Sequence, residues 1–303
     1  MKKEKLNRWA IVLAGGEGDR MRLFAEERYG HHRPKQYCAF TNGKSMIEHT
    51  FDRALDMVPS KRLVTILGKG HARYLKGSQP IDVPGHVLEQ PENLDTGPGV
   101  FLPLAKVMSQ DPNALVAIFP SDHFIYPRHR FQTLMDDSFR LAENLSEQII
   151  LLAAIPDRPE PDYGWICAGP TFHEVGARLV TRFQEKPDIS AAEKLYKDGS
   201  LWNTMIVVAK AAALWDLAWK VHPDMIGCLE SLKSRMGLDG ESGAISRAYQ
   251  GLRRLNFSRD FLEKIPEWTV ALPMRDVNWC DWGRPERVIK SLNYLQSERG
   301  VSA

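Results

Sequence analysis

Short apolar runs, each long enough for a buried strand and too short for a helix, alternate with amphipathic stretches along most of this chain. No other feature of the sequence restricts the fold as much, because this is the pattern of β-α-β units around a mainly parallel sheet. The expected strands are Trp9 to Ala14, Arg62 to Leu67, Ala114 to Pro120, Ile149 to Ala154, Val180 to Phe183 and Trp202 to Val208, with a last one near Trp268 to Leu272. Helical spacing appears in Ser45 to Met57, where Met46, Ile47, Phe51 and Leu55 share a face behind a serine start. Phe131 to Leu145 repeats it with Leu134, Phe139 and Leu141, and Ala211 to Leu255 reads as helices. The expected class is α/β, a mainly parallel sheet flanked by helices. At 303 residues the chain lies near the size where one core splits into two, and the reading is one domain over 1–303. Residues 256–303 form a C-terminal extension that carries Trp279 and Asp281 back toward the start of the chain.

Composition excludes several partners. A formal net charge of +2, from 40 Lys plus Arg against 38 Asp plus Glu, gives no long-range field for nucleic acid or an anionic membrane. Anion binding must therefore be local. Cys38, Cys167, Cys228 and Cys280 are scattered, with neither Cys-x-x-Cys nor a neighbouring His at metal-ligand spacing. Behind Lys2, Lys3 and Lys5 the apolar stretch ends at Ala14, too short for a signal peptide, and no later run reaches the length of a membrane span. A cytoplasmic, thiol-reducing location is expected.

The first strand runs into Gly15, Gly16, Glu17, Gly18, Asp19 and Arg20. Glycines there let backbone N–H groups approach phosphate oxygens without side-chain obstruction. It is neither a dinucleotide fingerprint, which needs glycine where Met21 stands, nor a Walker loop, which needs Gly-Lys before Ser or Thr. A strand-to-helix turn without ligand is the competing reading. The combination with Pro34, Lys35 and Gln36 weighs against it, since Arg20 and Lys35 supply two cations to one triphosphate after a single strand.

Taken together, the motifs resemble those of the sugar-1-phosphate nucleotidylyltransferases, and most of all bacterial mannose-1-phosphate guanylyltransferases. Leu-Ala-Gly-Gly-x-Gly-x-Arg spans Leu13 to Arg20, followed by Pro-Lys-Gln at Pro34 to Gln36 and Pro-Ser-Asp-His at Pro120 to His123. Tyr163-Gly164, Phe-x-Glu-Lys-Pro at Phe183 to Pro187, Leu-Trp-Asn at Leu201 to Asn203 and Trp-x-Asp-x-Gly at Trp279 to Gly283 complete the set. Their order along the chain makes chance agreement improbable. The chain departs from the pattern at Asp19, where Ser or Thr is usual, at Leu94, where Arg is usual, and after Asn203, where Thr204 and Met205 replace the usual glycine.

The resemblance implies a Rossmann-like fold of the nucleotide-diphospho-sugar transferase type and a transfer from GTP to mannose 1-phosphate or a related hexose 1-phosphate. Uridylyl, thymidylyl or adenylyl transfer, and a non-catalytic nucleotide-sugar-binding regulator, remain as alternatives. Arg20, Lys35 and Lys186 take the catalytic roles. Leu13, Ala14, Gly15, Gly16, Gly18, Gln90 and Thr96 bind the nucleotide, while Gly164, Glu185 and Asn203 line the sugar pocket. Asp122 and Asp281 hold Mg2+, since two carboxylates without His or Cys suit a hard cation whose other ligands are phosphate and water. For Glu185 and Lys186 the plainer reading is an exposed ion pair worth about 1 kcal/mol at most. The partners implied are a nucleoside triphosphate and a sugar 1-phosphate, without nucleic acid or membrane; a homo-oligomer is compatible with this.

Overall fold

The apolar runs become strands of one nine-stranded sheet in the computed structural model, which describes residues 7–41, 43–76 and 80–300. Lys2, Lys3 and Lys5 lie outside the described residues. The strands are β1 (Arg8–Ala14), β2 (Leu63–Leu67), β3 (His86–Glu89), β4 (Leu115–Pro120), β5 (Phe124–Tyr126), β6 (Ile149–Ala154), β7 (Gly164–Thr171), β8 (Arg178–Glu185), β9 (Leu201–Lys210), β10 (Thr269–Pro273) and β11 (Asn278–Cys280). The helices are α1 (Arg22–Tyr29), α2 (Met46–Leu55), α3 (Ala72–Leu75), α4 (Thr96–Gln110), α5 (Arg128–Asn144), α6 (Ile189–Lys197), α7 (Ala211–Val221), α8 (Pro223–Glu230), α9 (Glu241–Gln250) and α10 (Pro285–Gly300).

The sheet runs β3-β2-β1-β4-β9-β6-β10-β8-β7. Its first four strands are parallel, as expected, and so are β6 and β10. The rest corrects the expectation of a mainly parallel sheet: β9 runs antiparallel to β4, β6 and β7, and β8 antiparallel to β7 and β10, so the sheet is mixed. Two physical reasons explain the difference. A buried central strand shows the same continuous apolar run whichever way it points, and β9 is buried along most of its length. The β7–β8 connection of residues 172–177 is too short for a crossover and can only make a hairpin.

Side chains alternate across the sheet as the pleat requires. Trp9, Ile11, Val64, Ile66, Val116 and Ile118 face one apolar layer with α4, α7, α8 and α9. Ala10, Val12, Leu63, Leu115 and Ala117 face the other, with α2 and α5. α2 starts where Ser45 predicts, its N-terminus fixed by the Glu48 carboxylate accepting from Ser45 N at 2.7 Å. A smaller apolar cluster joins Met21, Cys38, Phe40 and Met46 to Trp282 and Val288, so the end of the chain does meet its beginning. No helix among the described residues is long and apolar enough to cross a membrane.

Candidate active site

Parallel register sets the site. Leu13 lies beside Pro120, Ala14 beside Leu67 and Leu67 beside Glu89, so the residues that follow these strands, Gly15, Gly68, Gln90 and Ser121, emerge together at one edge. This is the edge where open α/β sheets bind ligands. The glycine loop is anchored from below. Leu13 O accepts from Ser121 N at 3.1 Å and Ser121 Oγ at 2.6 Å. Ala14 O accepts from Gln36 Nε2 at 3.1 Å and Tyr37 Oη at 3.0 Å, and Gly16 O from Gln36 Nε2 at 2.7 Å. Gln36, the third residue of Pro-Lys-Gln, is thus a loop anchor. Gly18 has φ +70°, and a Cβ there would stand 3.0 Å from Lys35 N, so glycine is required on two counts. Asp19 is exposed and its charge acts on Arg22.

The expected cations and acids converge. Lys35, buried, donates through Nζ to Asp122 Oδ2 at 2.9 Å and to the Asp281 carbonyl. Arg20 Nη2 lies 3.7 Å from Asp281 Oδ2, and its Nη1 3.7 Å from Asp162 Oδ2. Burial alone would raise the Asp281 carboxyl, but Lys35, Arg287 and the Gly283 N–H hold it well below the usual carboxylate range. Asp122 is lowered in the same way, burial again opposing and Lys35 prevailing, while the charge of Asp281 pushes back. The two acids are near enough for the charge of Asp281 to be felt at Asp122, and the neighbouring cations keep both lowered. Burial pushes the neighbouring His123 imidazole down to about 4, and its Nδ1 accepts from the Trp279 indole at 3.1 Å.

The proposed sugar residues form a second group. A Cβ on Gly164 would stand 2.6 Å from Glu185 Oε2 and 3.2 Å from Asn203 Cβ, which makes these three direct neighbours. Asn203 donates to Ser258 Oγ at 3.2 Å and accepts from Met205 N at 3.0 Å. Burial pushes the Glu185 carboxyl up, Lys186 opposes this, and Glu263 adds to it. Lys186 is largely exposed, 3.9 Å from Glu185. Tyr163 links the two groups, donating to Asp281 Oδ1 at 2.8 Å while its carbonyl accepts from Lys186 N at 3.1 Å. On the loop side, the Gln90 amide lies against Gly15 and Gly99, and Tyr249 Oη donates to Gln90 Oε1 at 3.3 Å. Thr96 stands apart: its hydroxyl accepts from Phe257 N at 2.8 Å and its amide donates to Asp95, the residue that caps α4.

Backbone strain marks the same places. Among the described residues, positive φ at a non-glycine occurs at Asp95, Lys186, Met205, Asp276 and Trp282, and all but Asp276 adjoin the groups above. Met205, with φ 57°, holds the left-handed conformation where the resemblance leads one to expect a glycine nearby. Sequence reasoning did not single out Tyr163, Asp162, Tyr249, Ser258, Glu263 or Arg287 as site residues. Tyr163 had a signal in the Tyr-Gly pair; the others lie in segments whose local pattern says only helix or loop. A cavity of about 630 Å3 adjoins the cluster, with Tyr163, Cys280 and Arg287 in its wall.

Comparison with known proteins bears on the family and the fold. A family model described as Nucleotidyl transferase matches residues 9–298. The Xanthan biosynthesis protein XanB of Xanthomonas campestris pv. campestris (strain B100) is 26% identical over 276 residues, 90% of this chain and 57% of that protein. Mannose-1-phosphate guanylyltransferase RfbM of Salmonella typhimurium is 24% identical over 235 residues, 76% of this chain and 47% of that protein. The chain therefore spans about half the length of these relatives. The crystal structure described as mannose-1-phosphate geranyltransferase from Thermus thermophilus superposes with a TM-score of 0.78 at 24% identity, covering 92% of this chain and 77% of that one. At that identity the superposition establishes the fold.

Proposed function

The chain belongs to the nucleotidyl transferase family, and from that premise we propose that it transfers the guanylyl group of GTP to mannose 1-phosphate or a related hexose 1-phosphate, releasing pyrophosphate. The observation that carries this reading is Lys35 bonded to the Asp122 carboxylate and to the main-chain carbonyl of Asp281, residues from distant parts of the chain, with Arg20 beside the Asp281 carboxylate. The names of relatives such as RfbM support guanine and mannose. In this reading 1–303 acts as one cytoplasmic unit whose segment 256–303 completes the site.

The donor set suits Mg2+. Both carboxylates offer hard oxygens: Lys35 contacts Asp122 through Oδ2 and Arg287 contacts Asp281 through Oδ1, while Arg20 stands 3.7 Å from Asp281 Oδ2. Two carboxylates would leave the remaining positions of such an ion to phosphate and water. Held by Asp122 and Asp281, Mg2+ would screen the triphosphate charge and polarise the α-phosphate.

The chain's own residues do the rest by position and charge. Backbone N–H groups of Gly15, Gly16 and Gly18 take the triphosphate. A phosphate oxygen of the sugar 1-phosphate, held by Lys186, attacks the α-phosphorus in line; the new P–O bond forms as the α–β bridge breaks, and pyrophosphate leaves toward Arg20 and Lys35. The attacking phosphate is already anionic, so no side chain need take its proton. Glu185, Asn203 and the backbone at Gly164 bind sugar hydroxyls, while Gln90 reads the base and Thr96 fixes the start of α4 beside it. Asp122→Asn and Lys186→Ala should each lower turnover at least tenfold with the fold intact by circular dichroism; near-normal rates in both would remove this assignment.

One observation favours a second reading. Gln90 Oε1 is engaged by Tyr249, which leaves the amide N–H2 to face the base, and N–H donors suit the carbonyls of uracil or thymine as well as guanine O6. A matrix of each common nucleoside triphosphate with a panel of hexose 1-phosphates, scored by pyrophosphate release with Mg2+, separates the two. GTP with mannose 1-phosphate should lead. Release with another base but not with GTP selects the second reading, and binding without turnover in every pairing selects a regulatory nucleotide-sugar binder.

A further inference from the structure

We propose that Arg287 of α10, acting with Tyr163, is a positioning residue that saturates one oxygen of Asp281 and so presents the other to a divalent cation, an inference that rests on the reading of Asp281 as an ion ligand. Asp281 Oδ1 receives three donors: Tyr163 Oη at 2.8 Å, Arg287 Nη1 at 2.8 Å and Gly283 N at 2.9 Å. These fill its lone pairs and leave the carboxylate no freedom to rotate. Among the described residues no hydrogen bond ends on Oδ2, and Arg20, exposed, stands 3.7 Å from it.

Arg287 is itself held rigidly. It is 8% exposed, its Nη2 contacts Glu160 Oε2 at 2.8 Å and Asp162 Oδ2 at 3.1 Å, and its guanidinium lies 4.7 Å from the Tyr163 ring centroid. Glu160 in turn accepts from Asp162 N at 3.1 Å. A side chain locked in this way orients its partner at little further entropic cost, and outer partners of metal ligands typically contribute about 10- to 100-fold in ion affinity. The competing account is a buried ion-pair network that only docks α10. Lys290 lies on the same helix and pairs with Asp157 at 2.8 Å but is well exposed, so Lys290→Ala serves as the control for docking.

The test is uptake of Mn2+ by the whole protein, read from the loss of the free-ion electron paramagnetic resonance signal. Wild type and Lys290→Ala should bind alike, Arg287→Gln at least tenfold more weakly, and Arg287→Lys and Tyr163→Phe in between. Wild-type binding in a folded Arg287→Gln overturns the proposal, as does a wild type that takes up no Mn2+. If Arg287→Gln does not fold, Tyr163→Phe decides, and unchanged Mn2+ binding there overturns it. Arg287-dependent uptake with no transferase activity in any pairing would refute the guanylyltransferase reading and leave this one standing. Full transferase activity with unchanged Mn2+ binding in Arg287→Gln would do the reverse.

Discussion

Gly283 has no room for a side chain: a Cβ there would stand 2.5 Å from Asp281 Oδ2 and 3.1 Å from Arg20 Nη2. With Asp281 Oδ1 clamped by three donors, the carboxylate cannot swing aside to make space. Gly283→Ala is expected to lower turnover at least tenfold, about 1.4 kcal/mol of transition-state stabilisation, with little change in the unfolding midpoint. Steady-state rates and a thermal melt check this, and normal turnover would show that Asp281 Oδ2 is not used. His123 gives a pH prediction. Its folded-state value is lowered from the usual 6.5 to about 4, chiefly by burial, so the unfolded chain takes up a proton that the folded one refuses. Stability from this group is complete above about 6.5 and falls as pH drops toward about 4, by up to about 1.4 kcal/mol per pH unit. Urea unfolding across that window should show a shallower slope for His123→Gln; equal slopes would count against a buried neutral imidazole.

At the scale of elements, the most consequential contact is the clasp of β11 on β5, where Asn278, Trp279 and Cys280 pair with Tyr126, Ile125 and Phe124. It delivers Asp281 to a site built by the N-terminal strands. Trp282 locks the clasp, stacked on Phe124 at 5.3 Å, edge-on to Phe40 at 5.4 Å, and donating to Ser291 Oγ at 2.9 Å. Trp282→Ala should cost about 3–5 kcal/mol and also lower turnover of the folded fraction, because Asp281 is its chain neighbour. Phe139→Ala, which empties a fully buried position on α5, should cost a similar amount and leave turnover of the folded fraction intact. Denaturant titration paired with activity per folded molecule distinguishes them; equal activity in both would mean that the clasp supports stability alone.

For the molecule as a whole, what sequence made legible follows from what hydropathy and glycine encode. Ile149 to Ala154 was delimited as a strand to the residue, and Ser45 and Phe131 pointed to α2 and α5, because burial and helical period are local properties. The glycine turn at Gly15 to Gly18 was legible because glycine marks a tight turn locally. Strand direction was not: β8 and β9 are as apolar in reverse as forward, and β7 was missed because its second half carries exposed positions. β3 was missed because only one of its four residues is buried. The meeting of Arg20, Lys35, Asp122 and Asp281 was legible only through their ordered motifs. Arg287 and Tyr249 were invisible, since their roles come from which helices pack where, and no local spacing records that.

The ammonium of Lys35, bonded to the Asp122 carboxylate and to the main-chain carbonyl of Asp281, has one more effect. It gives the pair a resident counter-charge, so the cleft can assemble without waiting for a dication, unlike a small zinc domain that collapses when stripped. Chelation should therefore abolish catalysis yet leave the melting curve where it was, and a chelator that lowered both together would mean that the ion, not the lysine, holds the cleft closed.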